Sequence, residues 1–359
     1  MSAERSPARR LEVTAKSGSS ATRDLSSIGF DQDDALLNMR LCDLPVQIAG
    51  TLVERRVRRL HRELAARNIR ALPHVYLSEE FFAPEGVLGF AVPFYLAHPR
   101  LMRLERSQML EVEGASEAEC RRIFRHEAGH AIEEAYRLGE KREYHRLFGD
   151  PSVPYPKSYT PRVDSRQHVI NLASWYAQAH PVEDFAETFA VWLNPYHDWR
   201  ADYRGWPALA KLEYVDELMR EIAGRPPVVS DRTEVEPLVM VRLTLRQHYN
   251  KKRKYFAWKW PANFDQDLRR IFSTDADDGA QTATRFLRSM RSQLRARIAE
   301  GTGVHAYAVD QLLRQIIAQA QQLDLKVIDA AGPTIEKLLV LLTMQTASVM
   351  HKGYPKVAL

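Results

Sequence analysis

The spacing of hydrophobic residues predicts a chain that is mostly helical, with a small amount of strand in its first half. Apolar residues at helical intervals predict a helix after Asp43, with Pro45 in its first turn. Runs of aromatic and β-branched residues predict strands at 72–78 and 90–95, and strand character within 101–113. Together these elements indicate an α+β fold.

The second half of the chain has the apolar pattern of packed helices. Helical periodicity predicts helices at 208–223, 304–323 and 334–351. Pro226 and Pro227 interrupt this pattern and mark a predicted domain boundary. We therefore expect three parts: a disordered basic arm at 1–30, a first domain at 31–226 and a mostly helical C-terminal domain at 227–359.

The composition narrows the class of protein without identifying a function. Hydrophobic residues make up 45% and charged residues 27% of the 359 residues, as in ordinary globular proteins. The formal net charge of +5 is too small to indicate nucleic-acid binding by itself. Two cysteines without metal-like spacing favour a reducing compartment. No apolar leader or membrane-spanning run is visible, so we expect a cytoplasmic protein with no membrane partner.

Two histidines four residues apart carry the clearest chemical signal. His126 and His130 lie in the sequence HEAGH, with Glu127 directly after the first histidine. Four helical residues turn through about 400°, so both imidazoles project from one face and can share a cation. Glu127 lies about 100° around the helix, where it could reach a water on that cation. Catalytic zinc needs this combination of nitrogen ligands and a neighbouring base.

Neighbouring residues predict the ends of this motif helix. Ser116 and Glu119 have the spacing of a capping box at its start. Gly139 predicts a left-handed end after Leu138. Gly129, inside the helix, costs about 1 kcal/mol relative to alanine. That cost is tolerable if another backbone or a substrate approaches closely there.

A catalytic zinc site needs a third protein ligand, and the segment 180–193 (HPVEDFAETFAVWL) supplies the candidates. Pro181 suits the first turn of a helix. Glu183 and Glu187 lie one turn apart, so Glu183 could bind the metal while Glu187 accepts a hydrogen bond from a ligating histidine. His180 is the rival ligand, and at the helix boundary it could equally cap the helix or contact substrate.

A tyrosine and a long connection could complete a cleft. Tyr176 lies seven residues before Glu183, and a phenol near the metal could donate to the oxyanion of a tetrahedral intermediate. A packed aromatic residue beside Trp175 is an equally good interpretation. The connection at 139–169 could wall the cleft or could be a loop held by its own aromatic residues. Its candidate substrate-binding residues are Pro154, Tyr155, Pro156 and Tyr159.

The two segments HEAGHAIEEAYRL and HPVEDFAETFAVWL resemble the bacterial zinc-binding metallopeptidase family, which is of gluzincin type. The arrangement is also similar to the catalytic domains of lethal-factor toxins. The resemblance extends from about His74 to about Leu193. It implies one zinc ion per chain with the ligands His126, His130 and Glu183. It also implies Glu127 as general base, Tyr176 as oxyanion donor and Glu187 as the partner of a ligand. One departure is that thermolysin-like relatives have aspartate where this chain has Glu187.

The resemblance implies a zincin-like domain in which a small sheet accompanies the motif helix and the second ligand helix. It further implies a zinc metallopeptidase that hydrolyses peptide or protein substrates through a zinc-activated water with a glutamate general base. The alternative is a non-catalytic, zinc-containing regulatory or scaffolding protein that binds a protein partner through 227–359. The segment 246–260 mixes cations with aromatic residues, as single-strand-binding sites do. A half-buried strand with lysines that reach solvent is the favoured interpretation, so nucleic acid is not expected as a partner.

Overall fold

The computed structural model describes Leu25, residues 33–276 and residues 279–351, so the predicted arm at 1–30 lies outside the described residues apart from Leu25. Within this part, the chain is mostly helical with little strand. The helices are α1 (Asp33–Leu37), α2 (Leu52–Ala66), α3 (Pro99–Met109), α4 (Glu117–Tyr136), α5 (Arg142–Phe148), α6 (Pro181–Leu193), α7 (Trp199–Asp202), α8 (Ala208–Ile222), α9 (Leu245–Tyr255), α10 (Asp265–Arg269), α11 (Ala283–Thr302), α12 (Ala306–Gln322) and α13 (Ala331–Met350). The strands are β1 (His74–Ser78), β2 (Gly89–Pro93), β3 (Phe272–Ser273) and β4 (Lys326–Val327).

The strands form two small sheets. β1 and β2 pair in parallel, with His74 opposite Gly89 and Ser78 opposite Pro93. β3 and β4 pair antiparallel over two residues each. A small sheet in a mostly helical chain is compatible with the predicted α+β class. Among the described residues, no helix combines the length and the apolar character that crossing a bilayer requires.

The buried hydrophobic residues form two clusters along the chain. The first contains residues from the N-terminal helices through Leu245 and Tyr249 of α9. The second runs from Trp260 to Leu342 and joins α10, α11, α12 and α13. Residues 238–249 therefore pack with the first cluster although they follow Pro226 and Pro227. The helices predicted at 208–223, 304–323 and 334–351 are present as α8, α12 and α13.

α4 and α6 lie against each other at close range, and this contact positions the candidate site. The Ser116 side chain accepts a hydrogen bond from the Glu119 backbone nitrogen at 3.1 Å, as the predicted cap requires. A Cβ at Gly129 would lie 2.9 Å from the Cα of Ala186. Real Cβ atoms do not approach other atoms that closely, so glycine is needed there. The close approach expected at Gly129 is thus made by the α6 backbone.

One predicted helix start and one predicted helix end are wrong. The helix expected from Pro45 begins only at Leu52, because Gly50 takes a left-handed turn (φ 78°) and its backbone nitrogen donates to Glu54 Oε2. The left-handed end of α4 is Arg137 (φ 51°) and not Gly139. Arg137 adopts this conformation while its backbone nitrogen bonds back to the last turn of the helix.

Two segments predicted as strands are helices. The strand character expected within 101–113 is wrong because Pro99 opens α3 and the His98 ring accepts from the Arg100 nitrogen at 3.1 Å. The strand expected within 246–260 is also wrong. A full capping box between Thr244 and Gln247 starts α9 there instead.

Candidate metal centre

α4 and α6 bring three potential metal ligands to one point between them. The Nε2 atoms of His126 and His130 are 3.1 Å apart. Glu183 Oε2 lies 3.1 Å from the first nitrogen and 3.3 Å from the second. Two ligand atoms of a tetrahedral zinc, each about 2.0–2.1 Å from the ion, are separated by about 3.4 Å. The three donor atoms therefore fit a zinc ion in both chemistry and spacing, and among the described residues they form the cluster that could hold a metal.

Glu187 fixes the orientation of the first histidine. Its Oε1 atom lies 2.8 Å from His126 Nδ1, so that nitrogen carries the proton and Nε2 presents its lone pair to the cluster. Glu187 is fully buried. Its Oε1 also accepts from Asn171 Nδ2 and its Oε2 from the Leu172 backbone nitrogen, each at 2.8 Å. Every one of these contacts holds the Glu187 carboxylate in the position that orients His126.

The site has an excess of negative charge close to the imidazoles. Burial alone would lower the pKa of His126, but its bonds to Glu183 and Glu187 outweigh burial and raise this pKa well above its usual range. Burial likewise opposes the rise in the pKa of His130, which Glu183 causes. The imidazoles in turn hold the pKa of Glu183 well below its usual range, against the effect of burial. Positive charge between these groups is therefore favoured, and a divalent cation can supply it in place of protons.

Glu127 is a buried carboxylate beside the cluster. It follows His126 on α4 and lines the same cavity as the three donor atoms. Burial raises the pKa of Glu127, and the charge on His126 and His130 opposes this rise. A carboxylate with a raised pKa accepts and returns a proton near neutral pH more readily than an exposed one.

Two tyrosines approach the cluster from the connection between α5 and α6. The Tyr176 ring centre lies 5.7 Å from that of His126, and Tyr176 lines the cavity. The residues before it, Ser174 and Trp175, have left-handed backbone (φ 65° and 52°). The Tyr155 hydroxyl donates to Glu183 Oε1 at 2.8 Å. Sequence reasoning gave Tyr155 a role in holding substrate and missed its contact with Glu183.

His180 lies outside the cluster because both of its ring nitrogens have other partners. Nδ1 accepts from the Val182 backbone nitrogen and so caps α6. Nε2 lies 2.7 Å from the Val153 carbonyl. The ring also stacks on Tyr155, with the ring centres 3.9 Å apart. Of the roles predicted for His180, the structure therefore favours capping over ligation.

Asn171 is a second residue that sequence reasoning missed. It holds Glu187, yet nothing in its local sequence distinguishes it from other polar residues in a loop. The loop around it fits both interpretations that the sequence left open. Tyr155 and Tyr159 line the cavity, and they also hold the loop through bonds to Glu183 and to the Ser174 carbonyl.

A cavity of about 1250 Å³ contains the cluster. Residues from α4, from the loop before α6 and from the segment after α9 line it. Phe256 and Trp258 belong to the basic, aromatic segment at 246–260, and they face this cavity. Lys252 of the same segment is buried and pairs with Glu105 at 2.9 Å. These three residues therefore contribute to the wall of the cavity.

Residues 122–201 match the model of a protein family described as "Putative zinc-binding metallo-peptidase". The family resemblance is confirmed over this segment. The match includes the greater part of α4 and all of α6, and therefore the three donor residues, Glu127, Tyr155, Tyr176 and Glu187. No curated protein and no solved structure matches the chain.

Proposed function

We propose that this chain is a zinc-dependent metallopeptidase with a zincin-like arrangement of its ligand helices. His126, His130 and Glu183 hold one zinc ion. The observation that carries the proposal is the triangle of donor atoms, 3.1–3.3 Å on each side, whose first histidine is oriented by Glu187. The match of residues 122–201 to the zinc-binding family supports the same conclusion independently.

The residues around the triangle supply the proton transfers that hydrolysis of a peptide bond requires. A bound zinc ion would supply Lewis acidity and lower the pKa of a coordinated water toward about 7. Glu127 accepts the proton from the attacking water and delivers it to the leaving amine, because its carboxylate is buried next to the site and its pKa is raised. The Tyr176 phenol donates to the oxyanion of the tetrahedral intermediate. Tyr155 holds the Glu183 carboxylate by its 2.8 Å bond.

The non-catalytic alternative receives less support. A structural zinc site is normally closed by four protein ligands. Among the described residues the cluster has three, and His180 has both ring nitrogens engaged elsewhere. A buried glutamate beside the ligands, opening into a large cavity, also has no purpose in a structural site.

Cleavage of a diverse peptide library by zinc-loaded protein tests the proposal, with Glu127→Gln as the control. We expect cuts from the wild type only, and a bound zinc in both proteins, because Glu127 is not one of the three donors. Zinc content measured by mass spectrometry separates loss of the base from loss of the metal. A wild type that holds one zinc and cuts nothing, or a Glu127→Gln protein that cuts equally well, would refute this mechanism.

A further inference from the structure

The cavity follows one face of α4 over most of the length of that helix. Eight residues of α4 line the cavity, and so does Arg137, which directly follows the helix. They fall on one face, as single residues or adjacent pairs spaced by about one helical turn: Glu119, Arg122, Ile123, His126, Glu127, His130, Glu133, Glu134 and Arg137. Eighteen helical residues span about 27 Å. The metal-binding histidines lie near the middle of this span, so the cavity is a groove with room for several residues of an extended peptide on each side.

The groove is strongly acidic although the chain as a whole carries a formal charge of +5. Among the described residues that line it, twelve carboxylates face three cations. The carboxylates are Glu80, Glu85, Glu105, Glu111, Glu113, Glu119, Glu127, Glu133, Glu134, Glu140, Asp150 and Glu183. The cations are Arg122, Arg137 and Lys252. A bound zinc ion would neutralise only two of the excess negative charges.

Part of this excess lies at the end of the groove beside the start of α4. We call Glu80, Glu111, Glu113 and Glu119 the distal acidic group. Lys252, a buried cation that lines this end, is already paired with Glu105 at 2.9 Å. Burial raises the pKa of both Glu111 and Glu113 to about 7, and neighbouring carboxylates add to this rise. Only two of the cations that line the groove, Arg122 and Lys252, lie at this end, so its carboxylates outnumber them.

Aromatic side chains form the wall beside the distal acidic group. Tyr255, Phe256 and Trp258 line the groove here, and Phe256 stacks on His305 with ring centres 3.8 Å apart. The backbone nitrogen of Ala306 donates to Glu111 Oε2 at 2.8 Å, so the start of α12 closes this end. Carboxylates next to aromatic faces suit a guanidinium or ammonium group, which gains from ion pairing and from contact with the ring faces.

Helix geometry sets the distance between these charges and the reaction centre. Glu119 precedes His126 by seven residues and Glu133 follows it by seven, which is about 10 Å along the axis of α4 in each direction. An extended peptide covers about 3.3 Å per residue, so 10 Å corresponds to about three residues.

We propose that the groove binds extended cationic peptides whose Lys or Arg side chains lie about three residues from the scissile bond. This inference names the substrate class of the proposed peptidase and rests on that function for cleavage, but binding of the peptide can be measured separately. The distal acidic group and its aromatic wall take one cation. The carboxylates around Glu133 and Glu134 take a cation on the other side.

Binding is tested on the full chain carrying Glu127→Gln, with added zinc and without, so that no peptide is consumed. The probes are fluorescent decapeptides with Arg three residues to either side of the central bond, and sister peptides with Gln or Glu in those places. We expect the Arg peptide to bind about tenfold more tightly than the Gln peptide and the Glu peptide to bind most weakly. Equal affinity for the Arg and Gln peptides would overturn the proposal. This comparison changes only the peptide and leaves the distal acidic group intact.

A double variant, Glu80→Gln with Glu113→Gln, locates the effect. Both side chains open into the groove and belong to neither hydrophobic cluster, so their replacement disturbs little packing. We expect the preference for Arg over Gln to fall about fivefold. The matched control is Glu217→Gln with Glu300→Gln, which removes the same charge from exposed positions outside the groove. An equal fall in the control would show general attraction between charges and would also overturn the proposal.

Cleavage by the zinc-loaded wild type distinguishes this inference from the proposed function. Cuts enriched for Lys or Arg about three residues away would support both. Cuts without that enrichment would leave the peptidase standing and remove the cationic substrate. Tight binding of the Arg peptide with no cuts would keep the binding inference and remove the peptidase.

Discussion

Gly129 of α4 and Ala186 of α6 lie so close together that a Cβ at position 129 would be 2.9 Å from the Ala186 Cα. This contact sets the separation of the two helices that carry the candidate metal ligands. Gly129 lies between His126 and His130, and Ala186 lies between Glu183 and Glu187. The space that glycine leaves free is therefore what allows a carboxylate of α6 to reach both imidazoles of α4.

We expect Gly129→Ala to destabilise the fold and to weaken zinc binding. Alanine gains about 1 kcal/mol in helix propensity. The clash is with backbone atoms of Ala186, which cannot move without displacing α6, and overpacking of this kind costs about 1–3 kcal/mol. The net effect is a lower melting temperature, together with a zinc dissociation constant that rises as the helices separate. Thermal unfolding and chelator competition measure the two effects.

Gly301→Ala is the matched control, because Gly301 lies in α11 and a Cβ there would meet nothing within 4 Å. This variant should be as stable as the wild type or slightly more stable, with zinc affinity unchanged. If Gly129→Ala behaved in the same way, the close packing of α4 on α6 would not control the site.

A second prediction concerns the bond between Glu187 and His126. Glutamine at position 187 can still accept a hydrogen bond from Nδ1, but it lacks the negative charge that makes the imidazole a stronger ligand. We expect Glu187→Gln to weaken zinc binding about 10- to 100-fold. Competition with a chromophoric chelator measures this, with Glu300→Gln as an exposed control. An unchanged zinc affinity would mean that the 2.8 Å bond only packs the two helices together.

The sequence predicted the centre of this site because its geometry is local. His126 and His130 are one helical turn apart, and so are Glu183 and Glu187, so each pair shares a face of its helix whatever the rest of the fold does. The structure places the two pairs together as that reasoning requires. Gly129 also predicted that another group would lie close to α4, although the sequence did not identify that group as the α6 backbone.

The contacts that the sequence did not predict are made between distant residues. Tyr155 reaches Glu183 across 28 positions and Asn171 reaches Glu187 across 16, and no local pattern marks either contact. α9 was predicted as a strand because aromatic residues crowd its end. The helix forms because the cap at Thr244 and the burial of Leu245 and Tyr249 outweigh that local signal.

A third prediction separates the two tyrosines of the site. Tyr155 donates to the carboxylate of Glu183, the proposed third ligand, so Tyr155→Phe should weaken zinc binding by about tenfold. Tyr176 lies over the His126 ring within the cavity, and the three donor atoms belong to other side chains. Tyr176→Phe should therefore keep zinc affinity and lower kcat by roughly 10²-fold, since it removes an oxyanion donor.

Zinc titration and steady-state kinetics on both variants check this separation. Loss of zinc from Tyr176→Phe would show that this residue only supports the metal cluster. Full activity of Tyr176→Phe at saturating zinc would remove the oxyanion role and leave the packed aromatic residue as the correct interpretation.

The last prediction concerns the dependence of stability on pH. The Glu113 side chain opens into the groove, but the protein atoms around the groove desolvate it and, with Glu80, Glu119 and Glu111 nearby, raise its pKa to about 7 against the opposing effect of Lys252. The folded protein therefore holds this proton more tightly than the unfolded chain, whose glutamates have a pKa near the ordinary 4.5. The resulting stability is fully present below about pH 4.5 and is lost as pH rises to about 7. Above that pH, the ionised Glu113 destabilises the fold.

Glu113→Gln should therefore raise the melting temperature at pH 8, by roughly 1–2 °C, and change it little at pH 5. Both measurements are made with a strong chelator present, so that zinc binding does not differ between the two pH values. Glu217→Gln, at an exposed position on α8 outside the cavity, serves as the control and should show no such difference between pH values. A Glu113→Gln protein that is less stable than the wild type at pH 8 would contradict this prediction. So would an equal shift of its melting temperature at both pH values, because ionisation of Glu113 would then not destabilise the fold.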